Sequence, residues 1–520
     1  MKQLSFLYIL FISFFLYADK PNIIFIVTDD QLYKTLGCYG GNSLTPNIDS
    51  LAENGMKFTN ANAASTVCSP ARYAILTGRH PSHCKDPHFL KRMPENTAMR
   101  IENFVSLEND KRNIAGELQK HGYTTGFVGK SHISEHFSAG GTKLWEKHGL
   151  KVYGQQDDPK DPKVNEKMQH NHRVVCDMMK KHGFDYVDAY YLANTRELWN
   201  DALNVHNVEW TANAAANFIN QNKDKPFFLY YSTTAHHGPD PDIMKGKEFP
   251  FSLDADIRMT GAGFVPEGFD IMEDRQKTKE RVLKAGYPLR TAAYTWLDNS
   301  IGVILNKLRE HKIEDNTIIV YMSDHGFEKY QKATCFEGGL KIPMIIQWKK
   351  GVSQSRVSNQ LIQSIDLAPT LFDICGIEPA KELNLDGKSI LPILKGSEKE
   401  IHDFIYGEIG YARTIKSQKW KYIAVRYTDK VHKQIVKGGQ FSSYKGDILD
   451  VPYLVKNSHL GYYSSAQNKN YFMKDQLYRI DKDPEEKNNL FESNPEVAEK
   501  IKKALSQQLS KFNRPFGELN

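Results

Sequence analysis

Four apolar runs, each ending abruptly in acids, imidazoles or a lysine, constrain this 520-residue chain more than any other feature. Residues 22–28 read Asn-Ile-Ile-Phe-Ile-Val-Thr and end in Asp29-Asp30. Residues 123–128 end in Gly129-Lys130-Ser131-His132. Residues 226–232 run into Ala235-His236-His237-Gly238-Pro239, and residues 317–322 into Ser323-Asp324-His325-Gly326. A continuous apolar, β-branched run is the pattern of a strand buried on both faces. Helical segments at 45–55, 114–122, 211–220 and 292–308 separate these runs, and residues 342–348 read as another strand. Strand–helix alternation predicts an α/β fold, a mostly parallel sheet sandwiched by helices. Open sheets of this kind bind ligands outside the carboxyl ends of their strands. The four polar endings therefore predict one site.

Between the first and second runs lies Cys68-Ser69-Pro70-Ala71-Arg72-Tyr73-Ala-Ile-Leu-Thr77-Gly78-Arg79. Pro70 suits the first helical position, Ser69 before it is the expected N-cap, and Gly78 is a natural stop. Cys68 is then expected just ahead of a helix N-terminus, where free N–H groups and the helix dipole favour an anion. Arg72, one turn on, can reach the same spot. A cysteine there is either a nucleophile or a small buried hydrophobe. Asp29 and Asp30 repel one another and resist desolvation, so a bound cation or open solvent must compensate them.

The net charge of +6 suits anionic substrates or is incidental surface charge, and no motif or basic block points to nucleic acid. Residues 1–18 combine a cationic start, an apolar stretch and a small residue before Asp19-Lys20, which predicts a secretory signal and a periplasmic or secreted protein. The apolar stretch is short for a span, and no cysteine follows it closely, so no membrane anchor is expected. The six cysteines show no CxxC spacing, against a zinc knuckle or a disulfide framework, though one bridge stays open. After residue 396 the pattern shifts to short strands at 405–408, 420–425 and 476–480, with a helix at 495–512. A catalytic domain over 19–396 and a smaller C-terminal sheet-plus-helix subdomain over 397–520 are expected.

The Cys68-Ser-Pro-Ala-Arg72 core followed by Leu76-Thr-Gly-Arg79 resembles the signature of the formylglycine-dependent (type I) sulfatases of the alkaline phosphatase superfamily. The resemblance extends through Pro21-Asn-Ile-Ile, Asp29-Asp30, Leu36-Gly-Cys-Tyr-Gly40, Thr45-Pro-Asn-Ile-Asp49, Gly129-Lys-Ser-His132, Ser323-Asp-His-Gly326 and Asp366-Leu-Ala-Pro-Thr370. It continues in the late segment from Gln476 to Pro484 and in Asn489-Leu490.

The resemblance implies a hydrolase that cleaves sulfate esters of a sulfated poly- or oligosaccharide. It implies that a maturation enzyme oxidises Cys68 to formylglycine, whose hydrated aldehyde attacks sulfur through one hydroxyl and expels sulfate through the other. Asp29, Asp30, Asp324 and His325, with position 68, would hold a divalent cation, Ca²⁺ before Mg²⁺ because the donors are hard oxygens. Arg72, Lys130 and Lys332 would screen the sulfate, and His132 would act on the formylglycine hydroxyls. His237 would protonate the departing alcohol, with His236 as the substitute.

Three departures stand out. Ala71 replaces a common Ser, which bears on the choice of maturation enzyme. His325 stands where the best-known relatives carry Asn, and imidazole suits softer ions. Ser131 and Ile133 replace the usual Trp and Leu. Glu337-Gly-Gly339 and Asp366 read as turn and packing residues, and Cys38 and Cys335 as packing residues ahead of soft-metal ligands. Residues 186–199 are either a sugar subsite or ordinary core, and residues 240–286 read as a long surface excursion. Tyr411, Arg413 and Lys419 either reach substrate or are plain surface. The rival readings are a phosphatase or phosphodiesterase of the same superfamily, which would carry Ser or Thr at position 68, and an inactive glycan-binding relative.

Overall fold

A computed structural model describes residues 20–519 apart from 96, 98, 135–141, 239–251, 353–354, 437–467 and 513. The expected signal at 1–18 and the first part of the 240–286 excursion lie outside the described residues.

The main sheet has eight strands: β1 (Asn22–Thr28), β2 (Met56–Phe58), β3 (Thr124–Lys130), β4 (Tyr186–Tyr191), β5 (Phe227–Ser232), β6 (Thr317–Ser323), β7 (Met344–Gln347) and β8 (Arg356–Ser358). Their spatial order is β8-β2-β7-β6-β1-β5-β3-β4. β1 runs parallel to both β5 and β6, and β3 runs parallel to β5 and β4. The 342–348 run is a strand that enters the opposite way, antiparallel to β6 and β2. The connection from β6 to β7, residues 324–343, holds a 3-10 turn at Glu328–Tyr330 and the one-turn helix Glu337–Leu340, and the chain re-enters the sheet from the end at which it left.

Helices cover both faces: α1 (Pro46–Glu53), α2 (Cys68–Thr77), α3 (Ile114–Lys120), α4 (Pro162–Lys180), α5 (Val208–Asn222), α6 (Ala292–Glu310) and α7 (Leu367–Cys375). β1 shows why the sheet is sandwiched. Ile23, Phe25 and Val27 pack with residues of α2, α3 and α7, while Ile24 and Ile26 pack with α1, α5 and α6. All five are fully buried. Each such side chain contributes on the order of 1.5–3 kcal/mol, so the strand's position is heavily determined.

The C-terminal part forms an antiparallel sheet in the order β9 (Ile405–Ile409), β10 (Ala412–Lys416), β11 (Lys421–Val425), β12 (Asp475–Tyr478), backed by α8 (Pro495–Leu509). β10 is a strand that the pattern of residues 397–520 did not single out. Its Arg413 is fully buried and donates to the carbonyls of Gly410, Ala412 and Met99, so it holds backbone rather than reaching outward. Residues 186–191 likewise prove to be a sheet strand, with Tyr190 and Tyr191 in the core. All six cysteines are free.

Gly129 sits at the end of β3 with φ 92°, and a Cβ there would lie 1.7 Å from the Ser232 carbonyl oxygen. Gly129→Ala should therefore lower stability by more than the roughly 1–3 kcal/mol of left-handed strain alone. A shift of the urea midpoint to lower concentration reports it.

Candidate active site

The parallel register aligns the strand ends. Val27 pairs with Ser232 of β5 and Thr28 with Ser323 of β6, while Gly129 of β3 pairs with Ser232. The residues that follow, Asp29, Asp30, Asp324, His325 and Lys130, thus gather at one edge. The amide of Asp324 donates to Thr28 O (3.0 Å), and the amide of Gln31 to Ser323 Oγ (3.1 Å), which fastens the two chain ends together.

α2 delivers the cysteine. Its N-cap is Val67 and Cys68 is its first residue, so the helix starts two residues earlier than a Ser69 cap would start it. Pro70 then falls in the first turn, where its missing N–H would have had no helical partner. Gly78 ends the helix in the left-handed region as expected, φ 65°. Arg72, one turn on, is fully buried. Its Nε donates to Asp324 Oδ2 (3.0 Å), its Nη1 donates to Lys130 O (3.2 Å) and Ser232 Oγ, and its Nη2 lies 3.7 Å from Asp29 Oδ2.

Cys68 Sγ is the meeting point. It lies 3.4 Å from Asp29 Oδ1, 3.5 Å from His325 Nε2, 3.7 Å from Lys130 Nζ and 3.8 Å from Lys332 Nζ. Lys130 pairs with Asp29 and donates to Asn194 Oδ1 (2.5 Å); Lys332 donates to both oxygens of Asp30 (2.8 and 3.0 Å). Burial alone would raise the Asp29 carboxyl, yet Lys130, Arg72, His237 and Lys332 hold it well below its ordinary value. Burial likewise opposes ionisation of Asp30, and Lys332, His325 and His237 outweigh it. Burial and then the charge of Asp29 push the Cys68 thiol up. A thiol so held is a poor thiolate nucleophile at neutral pH.

Of the two imidazoles expected here, His132 follows β3 directly; it is buried, with a left-handed backbone (φ 57°) and its amide bonded to Leu192 O (2.9 Å). His237 feels the charges of Lys332, Lys130, Asp29 and Asp30; burial and the two lysines bring its imidazole down to about 3. Its loop is tied to β1: the amide of Asp29 donates to Ala235 O and the amide of His236 to Asp29 O. His206 bridges Thr234 Oγ1 (2.8 Å) and the His237 carbonyl (2.7 Å). The ring of His236 packs against Tyr294 at 4.1 Å between centroids.

Sequence reasoning did not find Asn194, Ser232 or His206. A signal existed for Asn194: Asn194-Thr-Arg-Glu197 has capping-box spacing, and both reciprocal bonds form. That box fixes Asn194 beneath Lys130.

Ligand atoms of Asp29, Cys68, Asp324 and His325 all lie within 4.8 Å of one another, and all four residues are buried. Asp30 adjoins them, its Oδ1 3.4 Å from His325 Nε2. His325 Nδ1 is 3.0 Å from Gly326 O, a bond that places a proton on Nδ1. In the neutral ring Nε2 then carries a lone pair facing two carboxylates and the Cys68 sulfur, an arrangement a divalent cation would satisfy. The donor set fits such an ion. Asp324→Ala should weaken divalent metal retention by about 10–100-fold, read by elemental analysis after dialysis, and chelation should inactivate the wild-type enzyme.

Comparison with known proteins gives this cluster its context. The sulfatase family model matches residues 21–377, and a model described as N-sulphoglucosamine sulphohydrolase, C-terminal, matches residues 323–433. An ulvan-active sulfatase of Formosa agariphila is 26% identical over 515 residues, 96% of this chain and 82% of that protein. The N-acetylglucosamine-6-O-sulfatase of Bacteroides thetaiotaomicron is 25% identical, over 74% of this chain and 73% of that one. A solved complex with the substrate D-glucosamine-2-N,6-O-disulfate shares the fold, with TM-score 0.60 and 20% identity over 95% of this chain and 98% of that one. The family match takes in every strand of the main sheet and every charged group around Cys68, and on that ground the chain belongs to the sulfatase family and is a sulfuric ester hydrolase.

Proposed function

We propose that the substrate is a sulfated poly- or oligosaccharide, cleaved with position 68 as formylglycine and with Ca²⁺, rather than Mg²⁺, held by Asp29, Asp30, Asp324, His325 and position 68. The observation that carries this reading is the convergence of Lys130, Lys332 and three buried carboxylates on Cys68. Asp29, Asp30 and Asp324 are balanced by Arg72, Lys130 and Lys332, so the charge of a divalent ion would be the surplus that draws an anionic sulfate. Carboxylate oxygens suit a hard ion. The carbohydrate class is supported by relatives named for ulvan and for N-acetylglucosamine 6-O-sulfate.

When present, formylglycine supplies a hydroxyl nucleophile and the cation polarises the sulfate. The chain's own groups do the rest. Arg72, Lys130 and Lys332 screen the charge of the sulfate and the charge that grows in the transition state. His132 moves the proton at position 68. His237 gives a proton to the leaving sugar oxygen; a bound sulfate offsets Lys130 and Lys332, the charges that help hold its imidazole down.

Residues 1–18 as a secretory signal, a periplasmic or secreted location, and a formylglycine-generating maturation enzyme complete the proposal. No helix among the described residues is long and apolar enough to cross a membrane. The division into a catalytic domain over 19–396 and a subdomain over 397–520 is supported by the two separate sheets.

Two measurements test the chemistry. In a host with a competent maturase, the tryptic peptide containing position 68 should carry the aldehyde by mass spectrometry; full activity with only unmodified Cys68 would refute the nucleophile. A sugar alkoxide needs a proton in the transition state and a nitrophenolate does not. His237→Ala should therefore lower kcat about 10²–10⁴-fold on a glycan sulfate and far less on nitrophenyl sulfate. Equal losses on both, or the differential loss in His236→Ala instead, would move the acid away from His237.

A further inference from the structure

We propose that the helical turn Glu337–Leu340 is the element through which the C-terminal sheet sets Lys332, with Glu337, Lys416, Lys421 and Glu486 as positioning residues. The proposal rests on the reading of Lys332 as a sulfate-binding group.

Glu337-Gly338-Gly339 reads from sequence as a turn. In the structure its first residue, half-buried, sits in an ionic network built from the C-terminal sheet and the turn after it. The Glu337 carboxylate accepts from Lys416 Nζ (2.8 Å) and Lys421 Nζ (3.2 Å), and its amide donates to Glu486 Oε2 (2.6 Å). Lys421 also pairs with Glu486, and Lys416 also donates to Asn62 Oδ1 (2.9 Å) and Asn60 Oδ1 (3.1 Å). Lys416 and Lys421 are direct partners in the register of β10 and β11. Like charges opposite one another on a sheet repel, and here both are buried, so the strand pair depends on the carboxylate placed between them. Glu486 is a fully buried, non-glycine residue held in the left-handed region, φ 53°. Neither choice serves stability well, since buried ion pairs are seldom better than apolar packing. What they do secure is position.

The other end of the turn touches both arms of the active site. The amide of Gly338 donates to Gln331 Oε1 (2.8 Å), and Gln331 precedes Lys332. The carbonyl of Gly339 accepts from the amide of Gly326 (2.8 Å), and Gly326 follows His325. Both glycines are required by proximity. A Cβ at 338 would lie 2.5 Å from Glu328 O and from Gln331 Oε1; one at 339 would lie 2.4 Å from Gln331 O. A second clasp, the ion pair of Lys329 with Glu485, joins the same loop to the same C-terminal turn. A continuous path of contacts therefore runs from β10, β11 and the 485–486 turn, through Glu337, to the ammonium beside Cys68.

The probe is inorganic sulfate as a competitive inhibitor of the mature, metal-loaded enzyme, measured with kcat, KM and the thermal midpoint. Glu486→Ala should raise the sulfate inhibition constant about tenfold, and Lys332→Ala at least as much. The double variant should be no weaker than Lys332→Ala alone, because both losses act through one ammonium. Glu486→Gln, which keeps an acceptor for the Glu337 amide, should recover part of the loss. If Glu486→Ala does not fold, Glu486→Gln and Gln331→Ala read the two ends of the same path against Lys332→Ala. An unchanged inhibition constant with a lowered thermal midpoint, or losses that multiply in the double variant, would overturn the proposal. Unchanged sulfate inhibition in Lys332→Ala itself would instead overturn the reading of Lys332, and the proposal with it.

Discussion

Buried carboxylates held against buried cations around Cys68 are the interaction on which the rest of this structure depends. A charge withdrawn from water without a partner costs several kcal/mol, and removing one member of a buried pair strands the other. Asp29 answers to Lys130 and Arg72, Asp30 to Lys332, and Asp324 to Arg72. Those cations arrive on three different elements: β3, α2 and the loop after β6. The Cys68 helix can therefore dock in one arrangement only, with Arg72 threaded behind the cysteine and between two carboxylates.

The parallel sheet makes such compensation possible. Neighbouring strands that end in register put their next residues side by side, so acids after β1 and β6 and a lysine closing β3 meet without long loops. Backbone bonds then carry the precision outward. Asp29 exchanges main-chain bonds with the Ala235–His236 segment, and His206 holds the carbonyl of His237. The His237 arm is thus indexed to the same strand that carries Asp29 and Asp30, the placement that the proposed proton donor needs.

The C-terminal sheet belongs to this machinery as well as to the packing. β9 leans on the segment leading to Cys68, with the Glu408 amide on Ala64 O and Ser65 Oγ on Glu408 O. Val67, the N-cap of α2, packs in one apolar cluster with Ala333, Phe336, Ile409, Tyr411 and Ile423. The Cys68 helix and the Lys332 loop are therefore both seated against the second sheet.

The sequence by itself determined the main strands of the large sheet and the charged residues that follow them. Apolar runs bounded by acids and imidazoles identify β1, β3, β5 and β6, and the Cys68–Arg79 stretch identifies the helix, because these signals lie within one element and its caps. They failed where the deciding partner is distant. Cys68 became the first helical residue rather than the one before it, β7 turned antiparallel, and β10 and Asn194 went unnoticed. Glu337 looked like a turn residue because its partners, Lys416, Lys421 and Glu486, lie 79 to 149 residues away. Lys332 reaches Asp30 across 302 positions, and Lys130 reaches Asp29 across 101. Periodicity and capping are local properties of the backbone, so they are written in neighbouring residues; which buried charge answers which is decided only when tertiary packing has excluded water from both.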